Sequence, residues 1–167
     1  MNEIDKRTRF LAVTGQHKGI LFKVAGAYCK NAEDRKDLLQ EMIIQLWNSF
    51  DRYDNQYKYS TWIYRIALNT AISQYRKENR RKQAALPLPA IGIELPDSGA
   101  ADENAAQIGL LQQFIGDLKE IDRALLLLYL EEKSHREIAA IMGFSVTNVA
   151  TKIARIKNIL KQKFSNT

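Results

Sequence analysis

The sequence predicts an all-α protein: two small helical domains joined by a flexible acidic linker. Three observations carry that prediction. Apolar residues recur at three- and four-residue steps along most of the 167 residues, with none of the sustained alternation of a half-buried strand. All three prolines, Pro87, Pro89 and Pro96, fall in "LPLPAIGIELPDSGAADE", where Gly92 and Gly99 weaken a helix further. The charge also changes sign there: Met1 to Ala85 carries 16 basic against 9 acidic residues, Leu86 to Glu120 carries 1 against 6, and Ile121 to Thr167 carries 8 against 4. The expected division is therefore 1–85, a linker over 86–104, and 105–167. An apolar content of 46% is enough to build a core in each half.

In chain order, "HKGILFKVAGAYCK" aligns Ile20, Val24 and Ala27 or Tyr28 on one helical face. "AEDRKDLLQEMIIQLWNSF" places Leu38, Met42, Ile43 or Leu39, and Leu46 at helical steps. Glu33 and Asp34 suit its N-terminus, where the helix dipole favours negative charge. Its Asp37, Gln40, Glu41 and Gln45 can share one exposed side, which reads either as a solvated face or as a docking surface.

"YSTWIYRIALNTAISQYRKENRRK" reads as a long helix capped by Ser60 or Thr61. Ile63, Tyr64, Ala67, Leu68, Ala71, Ile72 and Tyr75 take one broad side, and Arg65, Asn69, Ser73, Arg76, Lys77 and Arg80 the other. Trp62 and Ile66 project from the basic side, in line with Asn69 and Ser73. An indole there either covers a neighbouring loop or stacks on bases while the cations hold phosphates.

In "SHREIAAIMGFSVTNVATKIARIKNILK", Ser134 and Glu137 fit a capping box, Ile138, Ala139 and Met142 form a stripe, and Gly143 suits a left-handed C-cap. A new helix begins after Ser145, with Val146, Val149, Ile153, Ile156 and Leu160 facing inward. Thr147, Asn148, Thr151, Lys152 and Arg155 face outward. Two short helices across a Gly turn, the second with a hydroxyl, amide and cationic face, have a helix-turn-helix layout; an ordinary helical hairpin is the plainer alternative.

Composition narrows the function classes. A net charge of +6 and a pI near 9.4 favour a polyanionic partner. A single cysteine, Cys29, excludes an internal disulfide and any cysteine-cluster metal site, and suits a reducing cytoplasm. His17 and His135 lack partners at metal-ligand spacing, and there is no phosphate-binding G-x-x-x-x-G-K-S/T loop. We therefore expect no catalytic residue, no metal and no cofactor. The polar start and the absence of a long apolar run argue against a signal peptide or a membrane span, so the expected location is cytoplasmic.

Taken in order, these blocks resemble an extracytoplasmic function (ECF) sigma factor, a bacterial transcription initiation factor that binds core RNA polymerase, directs it to promoters and opens the duplex. The resemblance covers most of the chain. It implies that Asp37, Leu38, Gln40, Glu41, Leu46 and Trp47 meet the clamp helices of the beta-prime subunit, with the beta subunit as a further partner. It implies that Trp62 wedges into the minus-ten duplex, that Ile66 and Asn69 contact upstream minus-ten base pairs, and that Arg65, Arg76, Lys77, Arg80, Arg81 and Lys82 hold phosphates. The loop "DRYDNQYKYS" would capture a flipped base, with Asn55, Gln56, Tyr57 and Lys58 as candidates. Arg136, Thr147, Asn148, Thr151, Lys152 and Arg155 would read the minus-thirty-five duplex. The acidic linker would thread the polymerase interior, or serve as a plain tether. Ala150 and Ala154 depart from a basic residue and a histidine in many relatives, and Lys119 replaces a common proline. The free protein would be a monomer, and many relatives are held by an anti-sigma factor. The rival readings are a helix-turn-helix repressor or activator that binds duplex operator without polymerase, a more remote adaptor without polymerase, and a metal nuclease built from scattered carboxylates.

Overall fold

The computed structural model describes residues 2–84 and 103–165, which form eight α-helices and no strand. The helices are α1 (Glu3–Gln16), α2 (Lys18–Tyr28), α3 (Ala32–Ser49), α4 (Tyr59–Ala84), α5 (Glu103–Asp117), α6 (Glu120–Leu130), α7 (His135–Met142) and α8 (Val146–Ser165). A single 3-10 turn, Phe50–Arg52, follows α3. The linker expected over 86–104 lies outside the described residues except at its end, where residues 103 and 104 already belong to α5. Glu103–Asp117 contains no proline, and its alanine, glutamine and leucine content favours a helix.

In the first half, α4 packs against both α2 and α3. Asn31 starts α3: its Oδ1 accepts a hydrogen bond from the Asp34 amide at 2.7 Å, and Glu33 and Asp34 sit at the positive end of the dipole. The buried faces are Leu21, Val24, Ala25 and Tyr28 on α2, Leu38, Met42 and Leu46 on α3, and Ile63, Tyr64, Ala67, Leu68, Ala71 and Ile72 on α4. Ala67 and Ala71 let the three backbones come close at the centre. Phe10 of α1 closes one end, edge-on to Trp47 at 5.1 Å and to Phe50 at 5.4 Å.

Two local expectations are corrected, and one choice is decided. The inward face of α2 is centred on Leu21 and Ala25 beside Val24, leaving Ile20 half-buried; of the two alternatives on α3, Leu39 packs against the core and Ile43 is exposed. Helix α4 begins at Tyr59 and not after a Ser60 or Thr61 cap, with the Trp62 amide bonded to the Lys58 carbonyl. The reason is aromatic: Tyr59 stacks on Tyr53 at 4.2 Å, which draws the chain into the helix a few residues early.

In the second half, Ser134 Oγ accepts from the Glu137 amide and Ser145 Oγ from the Asn148 amide, so each helix of the α7–α8 pair has its own hydroxyl cap. Gly143 adopts φ 73°, and the Ala139 carbonyl accepts from both Gly143 and Phe144, closing α7 and turning the chain. Val149, Ile153 and Ile156 pack inward as expected. Val146 does not: it is the first residue of α8 and is 48% exposed. Met142 is half-buried, and Ile141 takes its place in the stripe.

A Cβ at Gly143 would meet nothing within 4 Å, so Gly143→Ala tests backbone strain alone. The expected cost is about 1–2 kcal/mol, read by chemical denaturation, with Gly143→Asn less costly because asparagine tolerates this conformation.

The two halves are in contact. Helix α4 packs on α6 and α7, and α2 on α5 and α6, so the buried residues from Phe10 to Ile156 form one continuous apolar cluster.

Candidate nucleic-acid interface

The long helix divides by face. Its inner side is core, while Asn69, Ser73, Lys77 and Arg80 are exposed and Arg65 and Ile66 are half-buried. Trp62 is also half-buried, within 5.4–6.4 Å of Phe50, Tyr53 and Tyr59. It covers the neighbouring loop, the first of the two sequence readings, and lies on the same side of α4 as Ile66 and Asn69. Arg76 leaves this face: its Nε is 2.7 Å from the carboxylate of Glu120 on α6.

The loop ahead of α4 is braced from within. The Tyr53 hydroxyl donates to the Tyr57 carbonyl at 2.5 Å, and the Gln56 amide bonds to Asp54. Asn55 takes φ 62°, a left-handed conformation that asparagine accepts more readily than most residues. This leaves Asn55, Gln56, Tyr57 and Lys58 exposed at the tip, with the Arg65 guanidinium 5.6 Å from the Tyr57 ring centre. Burial in the aromatic cluster pushes the Tyr53 phenol above its ordinary pKa, with Tyr59 and Asp54 adding to the effect, so it stays a neutral donor.

An open groove of about 660 Å³ runs between α3 and α4. Asp37, Glu41 and Gln45 form one wall, and Asn69, Ser73 and Lys77 line the other. The sequence-predicted docking face and nucleic-acid face are thus opposite sides of one groove. Gln45 bonds to Glu41 at 2.9 Å, which fixes both on the acidic wall.

Two members of the predicted docking set are corrected. Leu38 and Leu46 are 1% and 0% exposed, so no partner reaches their side chains; both are core because they sit on the side of α3 that meets α4. Trp47 is half-buried between Phe10 and the Lys6 ammonium, which lies 4.2 Å from its ring centre. Asp37, Gln40 and Glu41 are exposed as expected. Sequence reasoning missed Ile44, which is 49% exposed and follows Asp37 and Glu41 at helical steps. The spacing 37, 41, 44 was the available signal. An isoleucine amid acidic and amide groups gives the face the apolar centre and polar rim of a protein interface.

On α8, Thr147, Asn148, Thr151 and Arg155 are exposed, as is Arg136 on α7. Lys152 is half-buried, with its ammonium 5.8 Å from the Phe144 ring centre. The Thr151 hydroxyl donates back to the Thr147 carbonyl, which leaves its methyl and its oxygen lone pairs facing out. Arg155 is held at 3.0 Å by Asp122, a nearly buried carboxylate on α6 that sequence reasoning also missed. Such a pair orients the guanidinium before any ligand arrives. Among the described residues no three His, Cys, Asp or Glu side chains are grouped to hold a metal, and no helix is long and apolar enough to cross a membrane.

Comparison with known proteins agrees with this geometry. Residues 14–81 match the family model for Sigma-70 region 2, and residues 108–160 match that for Sigma-70, region 4. The chain is 26% identical over 166 residues to the ECF RNA polymerase sigma factor SigW of Bacillus subtilis (strain 168), covering 92% of this chain and 88% of that protein. It is 29% identical over 169 residues to the ECF RNA polymerase sigma-E factor of Escherichia coli (strain K12), covering 95% and 86%. Two solved structures share its fold at a TM-score of 0.68. CnrH, in complex with the cytosolic domain of CnrY, is 19% identical, with 96% of this chain and 90% of that chain covered. The sigma factor RpoE, in complex with the anti-sigma factor NepR from Bartonella quintana, is 20% identical, with 96% and 97% covered. With two regions of one family matched in order over most of its length, the chain belongs to the sigma-70 family, in its ECF branch.

Proposed function

We propose that this protein is a transcription initiation factor that binds core RNA polymerase, directs it to a two-element promoter and opens the duplex at the downstream element. The observation that supports it most directly is the α3–α4 groove, which sets an apolar-centred acidic face beside a basic face carrying a braced indole. A factor that must couple polymerase to melting DNA needs both faces on one rigid body. The helix-turn-helix face of α8 is a second, separate reader of duplex.

In this reading Asp37, Gln40, Glu41, Ile44 and Gln45 dock on the clamp helices of the beta-prime subunit. Trp62 enters the base stack at the upstream edge of the minus-ten element, Ile66 and Asn69 contact the adjoining pairs, and Arg65, Lys77 and Arg80 hold phosphates. Unstacking costs a few kcal/mol per step, offset by stacking on protein and by phosphate contacts. The tip of the 53–58 loop receives the displaced base. Arg136, Thr147, Asn148, Thr151, Lys152 and Arg155 read the minus-thirty-five duplex, and the 1–85 and 105–167 parts act as separate modules. The location is the bacterial cytoplasm, and no catalytic group is needed. RpoE was solved with the anti-sigma factor NepR bound and CnrH with the cytosolic domain of CnrY, and this chain is a candidate for control by an anti-sigma factor.

The test is transcription in vitro. The purified chain added to a heterologous bacterial core enzyme will give promoter-specific transcripts; failure to bind any bacterial core, or unaided dimeric binding to duplex operator, would overturn the reading. Within that assay, Arg155→Ala will weaken the upstream element by about 1–3 kcal/mol with the downstream contacts unchanged. An unaltered upstream footprint would remove Arg155 from the contact set.

A further inference from the structure

The first helix is anchored along one narrow stripe. Lys6, Phe10, Val13 and Thr14 follow one another at helical steps on its inward side, and Phe10 is the one residue of α1 that is buried. Its other large apolar side chains, Ile4 and Leu11, stay exposed, so α1 adds little to the core beyond this stripe. Lys6 and Phe10 also lie ahead of residue 14, where the match to Sigma-70 region 2 begins.

These two residues, one turn apart, each touch the same two elements. The Phe10 ring stands edge-on to Trp47, in the last turn of α3, and edge-on to Phe50, in the 3-10 turn, with ring centres 5.1 and 5.4 Å away. The Lys6 ammonium lies 4.2 Å from the Trp47 ring centre and 2.7 Å from the Asp51 carboxylate in the same 3-10 turn. Its side chain is 17% exposed against 62% for Asp51, so the lysine is packed onto the indole while the carboxylate stays at the surface. From the turn the contacts run on to the second indole: Phe50 lies 6.1 Å from Trp62, and Tyr53, which follows the turn, lies 5.4 Å from it. Lys6 and Phe10 thus reach Trp62 through intermediates.

We propose that Lys6 and Phe10 are positioning residues for duplex opening: by fixing Trp47 and the 3-10 turn to each other, they set the rotamer of Trp62. The proposal rests on the initiation-factor reading for its purpose. Helix α3 ends at Ser49 and the turn begins at Phe50. A 3-10 turn has poorer hydrogen-bond geometry than an α-helix, and α1 braces that junction from outside. With Phe10 in place, Phe50 cannot retreat from the indole. Without it Phe50 gains room to move, and Trp62 samples more than one rotamer. An indole that is already ordered loses less freedom on entering the base stack. The effect falls on opening and not on polymerase affinity, because Asp37, Glu41 and Ile44 point to another side of α3 than Trp47.

The first test needs neither polymerase nor DNA. The chain holds two tryptophans, Trp47 and Trp62, so fluorotryptophan labelling gives two fluorine NMR lines, assigned with Trp47→Phe. At a retained helical signal, Phe10→Leu should shift or broaden the Trp62 line, and Lys6→Met, which opens no buried cavity, should do so more weakly. With core polymerase, both variants should lower open-complex formation on duplex promoter by about threefold to tenfold and on a premelted template by much less, with affinity for core unchanged. Lys6→Arg, which keeps a cation on the ring, should retain what Lys6→Met loses. In a Trp62→Ala background Phe10→Leu should not lower the duplex-to-premelted ratio further, because positioning acts only through the indole. A Trp62 line unmoved in both variants, equal losses on the two templates, or a further fall in the Trp62→Ala background would each overturn the proposal. Failure of the initiation-factor reading is seen separately, as absence of promoter-specific transcripts from the unmutated chain.

Discussion

Trp62→Ala will lower open-complex formation on duplex promoter by tenfold or more, and by less on a template already melted across the minus-ten element. The magnitude follows from the wedge. Separating a base step costs a few kcal/mol, and each 1.36 kcal/mol lost from the transition state is about tenfold in rate. A premelted template has no step left to separate, so it escapes that part of the loss. It does not escape all of it, because the indole also contacts Phe50, Tyr53 and Tyr59 and holds the loop that precedes α4. Aromatic pairs of this kind contribute roughly 0.5–1.5 kcal/mol each, and a slack loop should capture the displaced base poorly on either template.

The two roles separate by ratio. Tyr53→Phe deletes only the hydroxyl that anchors the Tyr57 carbonyl, so it should reduce activity on duplex and premelted templates by the same factor. Trp62→Ala should lower the duplex-to-premelted ratio. If that ratio is unchanged, the indole props the loop and does no wedging, and the melting role passes to another group.

The indole also shows what sequence reasoning could reach. A helical wheel assigns directions around one axis, and it placed Ile63, Leu68 and Ile72 inside and Asn69 outside correctly. It could not show that the 3-10 turn at Phe50–Arg52 folds the preceding loop back over the start of α4, because that depends on contacts between elements. The α7–α8 pair was more legible. Its signals are local: a serine cap at each helix start, a glycine at φ 73°, and apolar steps at 149, 153 and 156. The seam between the halves left no sequence trace. Arg123 is a lone cation in an apolar run, and its partners Tyr28 and Tyr75 lie 95 and 48 residues earlier. No periodicity links them.

The docking face on α3 gives the second large effect, a pair of opposite outcomes from residues two positions apart. Ile44→Asp places a charge at the apolar centre of an exposed face. It should leave the unfolding free energy within about 0.5 kcal/mol while weakening core-polymerase binding by roughly 30-fold, the size of a hot-spot loss of about 2 kcal/mol. Leu46→Ala should do the reverse. Its side chain is fully buried, so removing it costs about 2–5 kcal/mol of stability, while the affinity of the molecules that remain folded is nearly unchanged. Denaturation curves and equilibrium binding to labelled core, both taken well below the Leu46→Ala midpoint, check the pair. The family motif includes both kinds of residue, since it records what the helix needs in order to work and does not say whether a position builds the face or meets the partner. Burial makes that distinction. If Leu46→Ala loses affinity at full stability, the helix must rotate or open on binding, and the face would have to be redrawn around its present core.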